Sequence, residues 1–344
     1  MPAGGRRAVD SSVLHCTRPY TSRLYAIGLG AMYLIRGIRQ LASRPAAVRA
    51  GSVATIGNFD GVHRGHQAVL ARVVERARAL RLPAVAISFE PHPREYFAGR
   101  GAPPRLTSLR CKFERMRDAG IDALALLHFD SRLAGLEAEA FVRSVFFDGL
   151  GVRHLVVGDD FRFGRDRRGD HALLVDSGRR YGFEVEDTPT VLDQGERISS
   201  TAVRDALAER DLDRAERLLG WRYSLDGRVR NGNKQGRELG YPTANIGLYR
   251  NRSALAGIFA ARVHGLTDGP RNAVASLGAR PTVEDSGAEL LEVHLFDFSG
   301  SLYGERIEVE FRAWLRDIER FDSLDALKHQ IDRDAAAARR VLAG

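Results

Sequence analysis

Thr55-Ile56-Gly57-Asn58-Phe59-Asp60-Gly61-Val62-His63-Arg64-Gly65-His66 is the stretch whose reading decides the fold of the first half of this chain. The apolar run at 53–56 reads as a buried strand. Beyond it, Val69, Leu70, Val73, Val74, Ala77 and Leu80 recur at helical spacing. A glycine-rich turn therefore joins a strand to a helix, with His63 and His66 where the helix begins. Unpaired backbone N–H groups and the positive end of the helix dipole suit that place to phosphate. Imidazole N–H groups add donors that can follow charge as it develops on a phosphoryl group. Gly65, with no Cβ, is expected to let a phosphate approach the backbone. The plainer alternative is a turn whose histidines only cap a helix.

Working outward, strands are expected at 53–56, 84–89, 123–129 and 154–157, and helices at 65–80, 108–119 and 137–149. That alternation argues a parallel sheet covered by helices on both faces. Ligands of such sheets bind beyond the carboxyl ends of the strands. The polar motifs fall there: the opening stretch, Glu90-Pro91-His92-Pro93, and Gly158-Asp159-Asp160-Phe161-Arg162-Phe163-Gly164. Ile198-Ser199-Ser200-Thr201-Ala202-Val203-Arg204 then reads as an N-capped helix start. Its hydroxyls and helix N-terminus can hold a second part of a triphosphate, and Arg204 can neutralise it. A site of this kind needs no covalent nucleophile. It aligns an incoming phosphate with the α-phosphorus of a nucleotide and stabilises the spreading charge.

Residues 205–219 read as a charged helical connector, and at Trp221 the pattern changes. Short apolar runs at 223–229, 258–263, 273–277, 290–296 and 307–311, with Gly, Asp and Asn turns, indicate an antiparallel barrel or sandwich. A closing helix is expected after Ser323, with Leu324, Leu327, Ile331, Ala335 and Ala338 on one face. The stretch from Gly227 to Asn245 holds Gly232, Gly236 and Gly240 but is not a Walker A loop. It suits a flap whose amides cradle phosphates, and reads equally as a hairpin loop. Thr243 and Asn245, two apart on a strand, face one side and are hard oxygen donors suited to Mg2+ that still carries phosphate.

The chain has 344 residues and a formal net charge of +8, and all but three of its 52 basic residues are arginine. The arginines are scattered, which argues against a nucleic-acid partner and leaves polyanionic small substrates. Cys16 and Cys111 form no CxxC, so neither a zinc site nor a disulfide framework is expected, and a reducing cytoplasm is. The apolar run at 24–35 is well short of the ~20 residues that span a bilayer, so no membrane partner is expected. Residues 1–31 show no sustained periodicity and read as a disordered or non-native extension, with Met32 as the natural start. No oligomeric state is readable.

The motifs GNFDGVHRGH, FEPHP, VGDDFRFG and ISSTAVR together resemble the adenylyltransferase half of bacterial bifunctional riboflavin kinase/FAD synthetases. The resemblance implies a Rossmann-like nucleotidyltransferase domain that joins FMN to the AMP part of ATP and releases pyrophosphate. It places His63 and His66 on the ATP phosphates as catalytic groups, with Gly57, Gly65, Ser199, Ser200, Thr201 and Arg204 in the phosphate-binding set. It puts Phe59, Asp60 and Asp160 on the flavin or magnesium side, although Asp160 reads equally as a turn aspartate. His92 reads equally as a rigid-loop residue or a ligand.

The stretch ending Gly240-Tyr241-Pro242-Thr243-Ala244-Asn245 resembles the riboflavin kinase half of the same family. That implies a small six-stranded antiparallel barrel with a C-terminal helix. Gly232 and Gly236 would lie in its ATP loop, and Thr243 and Asn245 near Mg2+ and ATP. Leu291-Glu292-Val293-His294-Leu295-Phe296-Asp297 matches the segment that carries the catalytic glutamate. Glu292 would thus take the proton from the ribityl hydroxyl as it attacks the γ-phosphorus. Arg316, Phe321 and Ser323 match a closing pattern linked to flavin binding, and Phe321 reads equally as core. Ala202, Ala254, Ser276 and Val283 depart from the pattern without removing a proposed catalytic group.

The expected organisation is an adenylyltransferase domain over 32–204, a connector over 205–219 and a kinase domain over 220–344. The expected reactions are riboflavin plus ATP to FMN, then FMN plus ATP to FAD. The alternatives are a family member with one silent domain, or a basic nucleic-acid-binding protein.

Overall fold

The computed structural model describes residues 32–43, 46–230, 241–248, 252–279 and 289–343. The readings on residues 1–31, on Gly232 and Gly236 and on Val283 lie outside the described residues.

Strands β1 (Tyr33–Arg36), β2 (Ser52–Ile56), β3 (Ala84–Glu90), β4 (Ala123–His128), β5 (Val152–Gly158) and β6 (Glu184–Thr188) form one sheet in the order β1-β4-β3-β2-β5-β6. All of its pairings are parallel. Helices α1 (Gly37–Ala42), α2 (Arg64–Leu80), α3 (Pro93–Ala98), α4 (Leu109–Asp118), α5 (Ser131–Ala134), α6 (Ala138–Phe141) and α7 (His171–Tyr181) fill the crossovers. Successive strand residues enter opposite cores. Val53, Ala84 and Ala86 pack with Leu70 and Val73 of α2, whereas Ala54, Val85 and Ile87 pack with Leu41 and Phe146. A strand buried on both faces must be apolar throughout, which is why 53–56 shows a run rather than an alternation.

The chain leaves β2 toward β3 on one side, and β5 lies on its other side. The carboxyl ends of β2 and β5 therefore bound the switch point of the sheet, where ligands of such folds bind.

Three local readings need correction. The helix expected over 137–149 is α6 continued by a wider π-helical turn at Val142–Phe147. Strand β6 was not expected, because Glu-Val-Glu-Asp-Thr lacks apolar alternation. It is an edge strand whose Glu186 is paired with Arg72 and Arg76 of α2 and with His154. The connector is not one helix. After the short hairpin of β7 (Leu192–Asp193) and β8 (Glu196–Arg197), α8 runs Ser200–Ala208 and α9 runs Leu212–Leu219. Arg210 takes a left-handed φ of 62°, and the Asp211 side chain caps α9 by accepting from the Arg214 N–H. Nor is the connector merely charged: Ala206, Leu207, Ala215, Leu218 and Leu219 are buried in one cluster with the barrel core.

The second half is a closed barrel of β9 (Ser224–Arg230), β10 (Ala244–Gly247), β11 (Gly257–His264), β12 (Arg271–Ala279), β13 (Glu289–Leu295) and β14 (Arg306–Arg316), in the order β10-β13-β12-β11-β14-β9. Of the two architectures open from the sequence, it is thus the barrel. All its pairings are antiparallel. Leu225, Ile246, Phe259, Ala275, Val293 and Val309 are among the side chains that fill it. Gly227 is required where β9 crosses β10, since a Cβ there would lie 2.5 Å from Ile246 Cγ2. Helix α10 (Leu324–Leu342), capped by Ser323 as expected, packs on β11, β12 and β14.

Candidate active sites

The first site is a cleft of about 470 Å³ at the switch point. The carboxyl ends of β2 and β5 and the N-termini of α2 and α8 converge on it. Its wall includes Gly57, Asn58, Phe59, His63, Gly65, His66, His92, Asp160, Arg197, Ser199, Ser200, Thr201 and Arg204. The structure thus brings together every residue expected for adenylyl transfer except Asp60, which lies behind the wall.

His63 caps α2, its Nδ1 accepting from the His66 backbone N–H at 3.2 Å. A neutral His63 ring so engaged carries its proton on Nε2 and can still donate. The His63 and His66 rings stack with centroids 3.6 Å apart, and Phe59 meets His66 edge-on. Burial is the main cause that pushes the His63 pKa down, to about 4. Burial, then the His63 and Lys112 charges, pushes His66 well below the usual imidazole range. Both rings are neutral donors near neutral pH. The capping reading of these histidines is therefore true of His63, and it leaves the Nε2 proton of His63 unused by the cap.

Among the described residues, three buried polar atoms of the wall have no partner: Thr55 Oγ1, Asn58 Oδ1 and His66 Nδ1. Orphaned groups of this kind are expensive unless a ligand satisfies them. The turn is also strained. Phe59 and Val62 take φ of 49° and 39°, unusual for any residue with a Cβ and more so for a β-branched one.

Gly65 lines the cleft, and its missing Cβ also serves a contact within the chain. A Cβ there would sit 3.2 Å from the His63 ring and 3.3 Å from the Ile198 carbonyl. The close approach it permits is between the two motifs of this chain.

Asp60, read as a flavin- or magnesium-side residue, is buried and turned into the protein. Its carboxylate accepts from the N–H groups of Leu106 and Thr107 and from Arg204 Nη2 at 2.5 Å. Burial raises its pKa, but the Arg204 and Lys112 charges and these N–H donors outweigh that, and it stays ionised. Arg204 also donates to Pro104 O and Ser200 O, and Ser200 Oγ donates to Asp60 O at 2.9 Å. Asp60 thereby locks the first motif to the second. Asp160 does face the cleft, where it pairs with Arg197 at 2.7 Å. His92 caps α3 through Nδ1, and burial pushes its pKa to about 4.

Sequence reasoning missed Asn58, Lys112 and Arg197. Asn58 sits inside the quoted motif and could have been named. Lys112 and Arg197 carry no local signal. The cleft is also tied to the end of the connector and the start of the barrel segment: Gln67 Nε2 donates to Leu219 O at 2.8 Å, Trp221 Nε1 donates to Gly61 O at 3.3 Å, and Arg115 stacks on the Trp221 indole.

The second constellation lies on the outer face of the barrel. Leu291, Val293 and Leu295 point inward, so Glu292 and His294 point outward. Register places Glu292 opposite Asn245 of β10 and opposite Ser276 of β12. Ser276 is a neighbour that sequence reasoning took only as a departure. Asn245 is buried and its Oδ1 has no partner among the described residues. Thr243 lies one residue before β10, not within it. The strand approach is fixed by His294 Nδ1 on Pro242 O at 3.0 Å and by Tyr241 on Asp332 of α10. Arg316 and Phe321 sit apart from Glu292 in sequence and share one contact: the Arg316 guanidinium lies 5.6 Å from the Phe321 ring centroid. Arg316 is committed to Asp334 of α10, on which its Nε and Nη2 both donate.

A family model described as FAD synthetase matches residues 46–202, and one described as riboflavin kinase matches residues 219–342. The bifunctional riboflavin kinase/FMN adenylyltransferase of Pseudomonas fluorescens is 50% identical over 313 residues, covering 91% of this chain and 98% of that one. The chain belongs to the bifunctional riboflavin kinase/FMN adenylyltransferase family. The Escherichia coli K12 member is 47% identical over 308 residues, covering 90% of this chain and 97% of its own. A solved structure from Streptococcus pneumoniae, named as a macrolide-efflux protein, shares the fold with a TM-score of 0.71 and 30% identity over 84% of this chain and 94% of that one. Among the described residues of the present chain no helix is long and apolar enough to cross a membrane. This family member is a two-activity transferase that makes FMN from riboflavin and FAD from FMN.

Proposed function

We propose that the cleft at the β2–β5 switch point carries out adenylyl transfer and that the outer barrel face around Glu292 carries out phosphoryl transfer. The supporting observation is a set of buried polar atoms without a partner among the described residues: Thr55 Oγ1, Asn58 Oδ1 and His66 Nδ1 in the cleft, and Asn245 Oδ1 on the barrel. The adenylyltransferase domain spans 32–204 and the kinase domain 220–344, joined through 205–219.

In the cleft, a phosphate oxygen of FMN attacks the α-phosphorus of ATP and pyrophosphate leaves. The N-termini of α2 and α8 and the His63 and His66 donors meet the charge that spreads over the phosphates. Ser199, Ser200, Thr201 and Arg204 form the opposite side, with Arg204 aimed by Asp60. Gly57 and Gly65 give the turn its shape. Phe59 supports His66, and Asp160 with Arg197 borders the flavin side.

On the barrel, Glu292 takes the proton from the ribityl hydroxyl as that oxygen attacks the γ-phosphorus and ADP departs. Thr243 and the orphaned Asn245 oxygen are hard donors that fit Mg2+, and they would hold it. Mg2+ when bound with ATP supplies positive charge to the phosphates. Arg316 and Phe321 close the flavin end as a packed pair. The cysteines of the chain fit a reducing cytoplasm.

The test is chromatographic. Riboflavin and ATP are expected to give FMN first and FAD second, and FMN and ATP to give FAD and pyrophosphate. Product that stops at FMN would remove the cleft assignment.

A further inference from the structure

Lys112 of α4 is a buried group that neither step above uses. It is 4% exposed, in a chain with only three lysines. Its ammonium donates to the Asn58 carbonyl at 2.7 Å and reaches Ser88 Oγ at 3.4 Å. Ser88 Oγ itself donates to the same carbonyl at 3.2 Å. Asp60, the carboxylate whose charge it feels most, is already paired with Arg204. Burial therefore works against the charged form and pushes the Lys112 pKa down.

An ammonium withdrawn from water without its own carboxylate is costly, and an apolar side chain of similar shape generally serves packing better. The charge makes sense if negative charge arrives nearby. The cleft lies directly beyond Asn58, which lines it and whose buried Oδ1 has no partner among the described residues. His66 and His92, on the same wall, also feel the Lys112 charge, after burial as the larger cause.

We propose that Lys112 is a positioning residue for adenylyl transfer: it pins the Asn58 peptide so that the Asn58 amide faces the substrate, and it sets a fixed positive charge beneath the phosphates. The proposal rests on reading this cleft as the adenylyl-transfer site.

The full-length Lys112→Met enzyme tests it. The kcat/KM for FAD formation from FMN and ATP is expected to fall roughly 10- to 100-fold, the range for a lost hydrogen bond to a charged group, with a raised KM for ATP. The thermal midpoint is expected to hold or rise, and riboflavin phosphorylation by the same preparation to stay unchanged. Full FAD formation, or a loss that accompanies a lowered thermal midpoint, would overturn the proposal. Should Lys112→Met not accumulate folded, Lys112→Gln keeps a donor and removes the charge; the raised KM for ATP is still expected, and an unchanged KM overturns the proposal. His66→Ala measured alongside separates the two levels. If it is inactive while Lys112→Met is fully active, only the Lys112 role fails. If both retain FAD formation, the cleft assignment itself fails.

Discussion

In the cleft beside β2, polar side chains are held by other side chains and by loop backbone, whereas on the barrel Asn245, Glu292 and Ser276 are neighbours through strand register. His63 is held by its cap on α2, Arg204 by Asp60, and the Asn58 peptide by Lys112. The first arrangement is a network in which a change at one buried member reaches several others. The second is a set of positions that the register of a closed ladder brings side by side. Coupled sites give non-additive mutational effects, and independent ones add.

The sharpest way to break the comparison is to disable each site alone. Glu292→Gln keeps the shape and removes the proton acceptor, so FMN formation is expected to fall about 10²- to 10⁴-fold while FAD formation from supplied FMN continues. His66→Ala is expected to lower FAD formation about 10²- to 10³-fold and to spare FMN formation. Both are read by chromatography on folded protein. Loss of both activities from either change would mean that the two constellations are not separate sites.

Asp60→Asn asks whether the cleft behaves as a network. It leaves the Arg204 guanidinium, 13% exposed, without its counter-charge. Breaking a buried pair in this way typically costs about 3–5 kcal/mol. A lowered thermal midpoint and a raised KM for ATP are both expected, because Arg204 and the Ser200 tether to the Asp60 carbonyl share one support. In a double-mutant cycle, adding Arg204→Met is expected to recover part of the lost stability. Strict additivity of the two changes would make the contact incidental.

The same contrast explains what could be read from the sequence. On the barrel, alternation along 291–295 fixes which residues face outward, but it does not choose among them, and Glu292 was singled out by the family resemblance alone. Only Ser276, on a strand reached through a loop, needed the register. The cleft motifs were legible as capped strand-to-helix junctions because glycine, histidine and capping hydroxyls have local signatures. Their supports were not. Asp60 looks like a ligand until its partners at Leu106, Thr107 and Arg204 are known, and Lys112 is 54 residues from the carbonyl it holds. That Gly65 also makes room for the His63 ring and the Ile198 carbonyl of the second motif could not be read locally. The break at Arg210 was hidden because the charge pattern runs through it while the capping by Asp211 is local.

The smallest expected effect is in pH dependence, and it separates the sites by chemistry. The His63 and His92 pKa values lie at about 4 in the folded chain, chiefly through burial, against an ordinary value of 6.5. Between those values the unfolded chain binds protons that the folded one refuses. The stability contributed by keeping the rings neutral is therefore complete above about 6.5 and is lost as pH falls through about 4. The thermal midpoint should be level near neutral pH and decline across that window. His63→Ser, which can still cap α2 but does not titrate, should lessen the decline. Phosphates bound against these rings favour their charged forms, so the cleft should take up protons when it binds ATP. Calorimetry in buffers of different ionisation enthalpy measures that uptake directly. It should persist in Glu292→Gln, whose cleft is intact, and shrink in His63→Ser. Equal uptake in the wild type and in His63→Ser would mean that the His63 ring, although it lines the cleft, is not what meets the phosphates.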